Sequence, residues 1–209
     1  MTDNVFLING HQYWEMSPGK LNRTLVEFAR EILNNNGYAV RTTHIDDGYT
    51  VYDEIENMVW ADAIIFQFPV YWFSMPWGMK KYIDEVYMLG RGKIFEGDGR
   101  TRSNPARRYG TGGLMAGRRY MLSTTWNAPS VAFGGEGQIF EGKTVDDVFY
   151  GFHRAQTFVG LEALPSFSCH DVLKNPDIDS DLERFENHLH QVFPHLSRSE
   201  AQHAERAFA

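Results

Sequence analysis

Three stretches of this 209-residue chain concentrate groups able to grip or tune a ligand. The first, residues 10–24, ends in Ser17, Pro18, Gly19, Lys20, Leu21, Asn22, Arg23 and Thr24. Ser17-Pro18 reads as an N-cap followed by proline at the first helical position, where free backbone N–H groups and the positive end of the helix dipole favour an anion. Lys20 and Arg23 in that turn oppose the dipole unless an anion lies between them; otherwise both point into solvent. The second stretch, 69–76, sets Val70, Tyr71, Trp72 and Phe73 directly after an apolar run. Neighbouring side chains of an extended segment point opposite ways, so one core cannot take all three rings, and a planar ligand could use the surplus. The third, Thr125, Trp126, Asn127 and Ala128 up to Pro129, offers hydroxyl, amide and backbone donors suited to the pyrimidine edge of a flavin, and reads equally as a plain turn.

Other chemistries find no footing. Neither GxGxxG nor GxxxxGK[ST] occurs, so a dinucleotide fingerprint and a P-loop are both unsupported. There is no GxSxG elbow, and the single Cys169 excludes a disulfide framework and any Cys-rich metal site. His188, His190 and His195 match neither HExxH nor a zinc-finger spacing, so no metal site is expected. The formal net charge of -7 speaks against a general nucleic-acid or anionic-membrane binder. Within it, residues 91–119 carry eight Lys or Arg against Glu96 and Asp98, a local +6 that is either a solvated face or a grip on a phosphate-bearing ligand such as NADPH or the diphosphate of FAD.

The elements that must position these loops follow from periodicity. Residues 4–9, 38–44, 63–68, 120–125 and 161–168 read as strands, and continuous rather than alternating apolarity at 63–68 marks a parallel strand covered on both faces. Helical spacing covers 17–37, 51–60, 77–88, 145–159 and 179–192. In the helix over 77–88, Lys80 with Asp84 and Lys81 with Glu85 form i,i+4 pairs. Residues 90–117 have no periodicity and are too long for a connection, which suggests a functional insertion, while 195–209 reads as a loose tail. The charge-free stretch 63–79 contains Pro69 and Pro76, so it is a strand and an aromatic loop rather than a membrane span. Asp3 and the short apolar run after it do not make a signal peptide, and a reducing cytoplasm fits. The alternation predicts one α/β domain over 1–194, a flavodoxin-like three-layer α/β/α sandwich with a five-stranded parallel sheet, whose ligand sits beyond the carboxyl ends of the strands.

Several motifs together resemble one family. Asn9-Gly10, Ser17 to Thr24, WAD at 60–62, QFPVYWFSMPW at 67–77, KKYIDEV at 80–86, DGRTR at 98–102, YGTGGLM at 109–115 and RYMLSTTWNAP at 119–129 resemble the modulator of drug activity B family of NADPH quinone reductases. The resemblance runs from about Asn4 to Phe193. It implies bound FAD, NADPH as hydride donor, two-electron reduction of a quinone by a ping-pong mechanism, a cytoplasmic homodimer with a shared active site, and a part in protection against oxidative stress. The family's FAD contacts carry over to Ser17 through Thr24, Val70 through Phe73, Tyr109, and Thr125 through Ala128. No residue is implied as a nucleophile, and Tyr109 is the side chain expected nearest the chemistry. Val70-Tyr71 stands where the family has Gly-Trp, which leaves substrate preference open. A flavodoxin-like FMN electron carrier, and an azoreductase or nitroreductase of the same fold, are the alternatives.

Overall fold

Short apolar runs and amphipathic helices alternate along the chain, and each run becomes a parallel strand. The computed structural model describes residues 4–196. Strands β1 (Asn4–Asn9), β2 (Ala39–His44), β3 (Ala63–Pro69), β4 (Arg119–Thr125), β5 (Glu162–Ala163) and β6 (Phe167–Cys169) alternate with helices α1 (Lys20–Asn35), α2 (Val51–Trp60), α3 (Trp77–Leu89), α4 (Val145–Val148), α5 (Tyr150–Val159) and α6 (Ile178–Val192). The sheet order is β2-β1-β3-β4-β5, all parallel, with β6 also paired to β4. Strand order reverses between β1 and β3, which is where an open α/β sheet leaves a crevice.

Alternation along each strand fills two cores. Phe6, Ile8, Ile64, Phe66, Phe68, Tyr120 and Leu122 face α2, α3 and α5. Val5, Leu7, Ala63, Ile65 and Met121 face α1 and α6. Burial on both faces is why β3 is apolar nearly throughout, with Gln67 as its buried polar exception. The α3 pairs form as predicted, Lys80 to Asp84 at 2.5 Å and Lys81 to Glu85 at 3.6 Å. Among the described residues, no helix is long and apolar enough to cross a membrane.

Four expectations need correction. The strand predicted over 161–168 is two short strands, because Pro165 has no N–H for the ladder; both pair with β4, so the five-strand order holds with its last position divided. The helix predicted over 145–159 breaks at Phe149, and its first piece is fixed by a capping box between Thr144 and Asp147. Helix α1 starts at Lys20 with Gly19 as its N-cap, so Ser17 and Pro18 lie outside it. Ser17 instead closes a tight turn with Trp14 through N–H···O bonds of 2.8 and 3.3 Å. His195 and Leu196, the first tail residues, are tied down: the Leu196 N–H donates to Asn36 O at 2.9 Å, and the His195 ring stacks on His190. The rest of the predicted tail, 197–209, lies outside the described residues.

Candidate functional site

The carboxyl ends of β1, β3 and β4 bring the three predicted loops together. Helix α1 opens without a side-chain cap, so the N–H groups of Lys20, Leu21 and Asn22 point out of its first turn, while the Arg23 N–H already bonds Gly19 O at 3.0 Å. Gly19 is obligatory there. Its φ is +79°, and a Cβ would stand 2.4 Å from the His11 imidazole, whose Nε2 is 2.8 Å from Ser17 O. Arg23 reaches Asp47 at 3.4 Å across solvent, an exposed pair that leaves the turn electropositive through Lys20. From this end an open helix face carries Lys20, Arg23, Thr24, Glu27, Phe28 and Glu31.

The second loop is a tight turn. Tyr71 and Ser74 exchange backbone bonds of 2.9 and 3.0 Å, and the residues between them, Trp72 and Phe73, sit at φ +47° and +63°. Such turns select Gly or Asn, and a bulky side chain there costs on the order of 1–2 kcal/mol per residue. Strain of this kind persists where the surroundings impose it, which points to function. Trp72 is 93% exposed, and Phe73 leans edge-on against Phe140 at 5.7 Å. Tyr71 ties this turn to the first loop by donating to Gln12 O at 2.8 Å, and burial raises its phenol pKa. Val70 donates its N–H to Thr125 O at 2.9 Å, joining the second loop to the third.

The third loop divides its labour. Trp126 is not a ligand donor through its side chain: the indole is buried among Phe133, Phe140 and Phe149, its Nε1–H goes to Thr124 Oγ1 at 2.9 Å, and its backbone N–H goes to Cys169 O. Asn127 is exposed and Ala128 half-buried. Thr125 is buried and accepts from Asn22 Nδ2 at 3.2 Å.

Tyr109 is not brought to this end. Helix α3 runs back along the sheet, so 90–117 leaves and returns at the amino ends of the strands. The Arg118 guanidinium donates to the carbonyls of Val59 and Ala61 there, and the Met115 N–H to Val159 O. The Tyr109 ring is 5.5 Å from Phe158 in the last turn of α5, with the Arg100 guanidinium 5.3 Å from its centroid. A seven-residue strand spans roughly 20 Å, and it separates Tyr109 and the basic segment from the three loops of the same chain.

Residue types in isolation did not disclose two side-chain clusters, the first of them buried. Asn22, Gln67, Ser123 and Thr125 form one hydrogen-bonded chain beneath the site. Its sequence trace is a polar residue inside each of two apolar strands. On the opposite face, the Tyr120 hydroxyl lies 2.6 Å from His153 Nδ1, and His153 Nε2 is 3.2 Å from Asp146, fastening α4 and α5 to β4. That trio has no simple spacing, and it stands away from the carboxyl ends. Cys169 is buried, which pushes its thiol up to about 12 and removes it as a nucleophile at neutral pH. Among the described residues no group of His, Cys, Asp and Glu could hold a metal ion.

Residues 3–193 match the flavodoxin-like fold family. The chain is 47% identical over 190 residues to the NADPH:quinone oxidoreductase MdaB of Haemophilus influenzae, covering 91% of this chain and 99% of that protein. A candidate quinone reductase solved from Klebsiella pneumoniae superposes with a TM-score of 0.76 at 22% identity, over 93% of this chain and 86% of that one. The general stress protein 14 of Treponema denticola, solved in complex with FMN, gives 0.66 at 17% identity, over 91% and 97%. These two structural likenesses show the shared fold.

Proposed function

The chain belongs to the flavodoxin-like fold family, in the group of the MdaB quinone oxidoreductases, and from that premise we propose that it is a flavin-dependent NADPH:quinone oxidoreductase of the cytoplasm, holding FAD and working by a ping-pong mechanism. One observation carries this reading: the strained Trp72–Phe73 turn stands at the mouth of the sheet between an uncapped helix start and the Asn127 loop. An anion at the first turn of α1, a ring at the aromatic turn and a polar ring edge at Asn127 are the parts of a flavin nucleotide in order.

The residues present fit that group. The N–H groups of Lys20 through Asn22 would hold phosphate, and Gly19 lets the chain pass His11 closely enough to aim them. Lys20 beside those N–H groups, with the basic segment of a second copy, suits the added charge of a diphosphate, which favours FAD over FMN. A bound flavin supplies a carrier for two electrons between NADPH and the quinone. Val70 through Phe73 wall the ring, and the exposed indole of Trp72 excludes water from one face. Thr125, Asn127 and the Ala128 N–H place donors at the ring edge, where negative charge is best stabilised by fixed dipoles. One open pocket beside the ring serves both substrates in turn, so no nucleophile or metal is asked of the protein. Tyr109 and the basic segment, set at the other end of the sheet from the loops of their own chain, serve the site of a second copy in a homodimer; an active site shared across a two-fold axis reconciles the sequence motif with the fold.

Steady-state turnover of NADPH with menadione, chromatography of the released flavin and sedimentation test the proposal together. Parallel double-reciprocal plots, FAD, and a mass about twice 24.1 kDa are expected. Intersecting plots would mean two separate sites, and FMN alone would overturn the cofactor assignment. A fully active monomer would remove Tyr109 from the site. Absence of any flavin and of NADPH-dependent menadione reduction would sink the reading altogether.

A further inference from the structure

We propose that Gln67 is a positioning residue that sets the polarity of a buried hydrogen-bond chain, so that the Thr125 hydroxyl keeps its proton for the ligand at the carboxyl end of the sheet. The inference rests on the flavin reading of the site and names a residue that contacts no ligand. Gln67 is 2% exposed on β3, Ser123 is fully buried on β4, and Asn22 comes down from the first turn of α1 to meet them. Gln67 and Ser123 point to the α1 face of the sheet, each two residues before the strand end that carries a loop, and Asn22 faces them from the helix.

The order of donors is directional. The Ser123 hydroxyl donates to Gln67 Oε1 at 2.6 Å, Gln67 Nε2 donates to Asn22 Oδ1 at 2.7 Å, and Asn22 Nδ2 donates to Thr125 Oγ1 at 3.2 Å. A carboxamide that accepts on its oxygen presents its NH₂ to the next group, so each link fixes the one after it. Buried polar groups must be paired, which makes the whole chain turn together or not at all. A threonine hydroxyl has a single proton. With its oxygen already engaged by Asn22, Thr125 offers that proton elsewhere, and it is the last residue of β4, immediately before the Asn127 loop. Were the chain reversed, Thr125 would spend its proton inward and present only lone pairs to the ring edge. The observed polarity therefore favours a ligand that gains negative charge there, as a flavin does when reduced.

The chain also joins two parts of the site that the backbone connects only distantly. Asn22 carries one of the free N–H groups at the helix start, and Thr125 opens the donor loop. Gln67 is the link that holds them in register.

The test is the midpoint potential of the bound flavin in the full-length protein, measured against a reference dye, with thermal unfolding as the control for folding. Gln67→Met keeps the volume and removes both polar atoms. It should bind reduced over oxidised flavin about tenfold less favourably, which lowers the potential by about 30 mV for a two-electron couple. Thr125→Val should give the same shift, and the double variant Gln67→Met/Thr125→Val no more than either alone, because both remove one interaction. Gln67→Glu guards against a folding failure of the first variant. When ionised it can only accept, so it still takes the Ser123 proton but turns Asn22 round to accept from Thr125; when protonated it can donate as Gln does. Its potential should therefore fall below the parent's at high pH and return toward it as the pH is lowered. Unshifted potentials, or additive shifts in the double variant, with flavin still bound, would overturn the role of Gln67 and leave the function intact. A parent protein that binds no flavin would overturn both.

Discussion

Replacing Trp72 separates the cost of the aromatic turn from its use. The indole is 93% exposed, so cutting it back removes little burial, and exposed substitutions stay within about 0.5 kcal/mol. The backbone term is different. At φ +47° any residue with a Cβ is strained by about 1–2 kcal/mol, and glycine is not. Glycine returns about 0.5–1 kcal/mol of that through the greater freedom of its unfolded chain. Trp72→Ala should thus leave apoprotein stability nearly unchanged, and Trp72→Gly should be more stable than Trp72→Ala by about 0.5–1 kcal/mol. Flavin binding moves the other way in both. Loss of an aromatic face from a planar ring costs about 1–3 kcal/mol, or roughly 5- to 150-fold in Kd. Thermal unfolding of the apoproteins and fluorescence titration with FAD read the two quantities separately. Parental flavin affinity in both variants would refute the assignment of the turn, and a collapse of the apoprotein would show that the indole supports the fold instead.

Gly19→Ala combines a left-handed φ with a Cβ placed 2.4 Å from His11, so a loss of about 2 kcal/mol in urea unfolding and weaker flavin retention are expected; unaltered retention would contradict the role of the helix start. Asp146 has its carboxyl pKa lowered, first by the hydrogen bond from His153. A depressed folded pKa stabilises above the unfolded carboxylate value and is lost as pH falls through the folded one, so Asp146→Asn should flatten the acid limb of stability below about pH 4 while sparing flavin binding. A steep acid limb in the variant would place that sensitivity elsewhere. Cys169, buried and raised to about 12, should resist iodoacetamide at pH 8 until the protein unfolds, and rapid labelling of the native protein would contradict its burial.

The residue pattern orders the strands and helices in advance of any structure, because burial on one stripe or on two faces writes a period into the residue types. Helix α2 and strands β1 and β3 appear within a residue of where that period puts them. It also marked the three loops, since three consecutive aromatics after a buried strand violate alternation and an uncompensated cation pair opposes a helix dipole. Boundaries set by backbone geometry stayed hidden: Ser17-Pro18 looks like a cap, but a neighbouring His11 that only Gly19 can clear moves the helix start to Lys20. Side-chain fate was equally invisible, so Trp126, a donor by its type, is a core residue by its packing. The tertiary structure alone decided two further matters. It set Tyr109 at the amino ends of the strands, far along the sheet from the loops its motif would serve, because α3 carries the chain back before the insertion begins. It also joined Asn22, Gln67, Ser123 and Thr125, which lie up to 103 residues apart, into one chain, because parallel strands bring side chains of the same face and depth into contact whatever their distance in sequence.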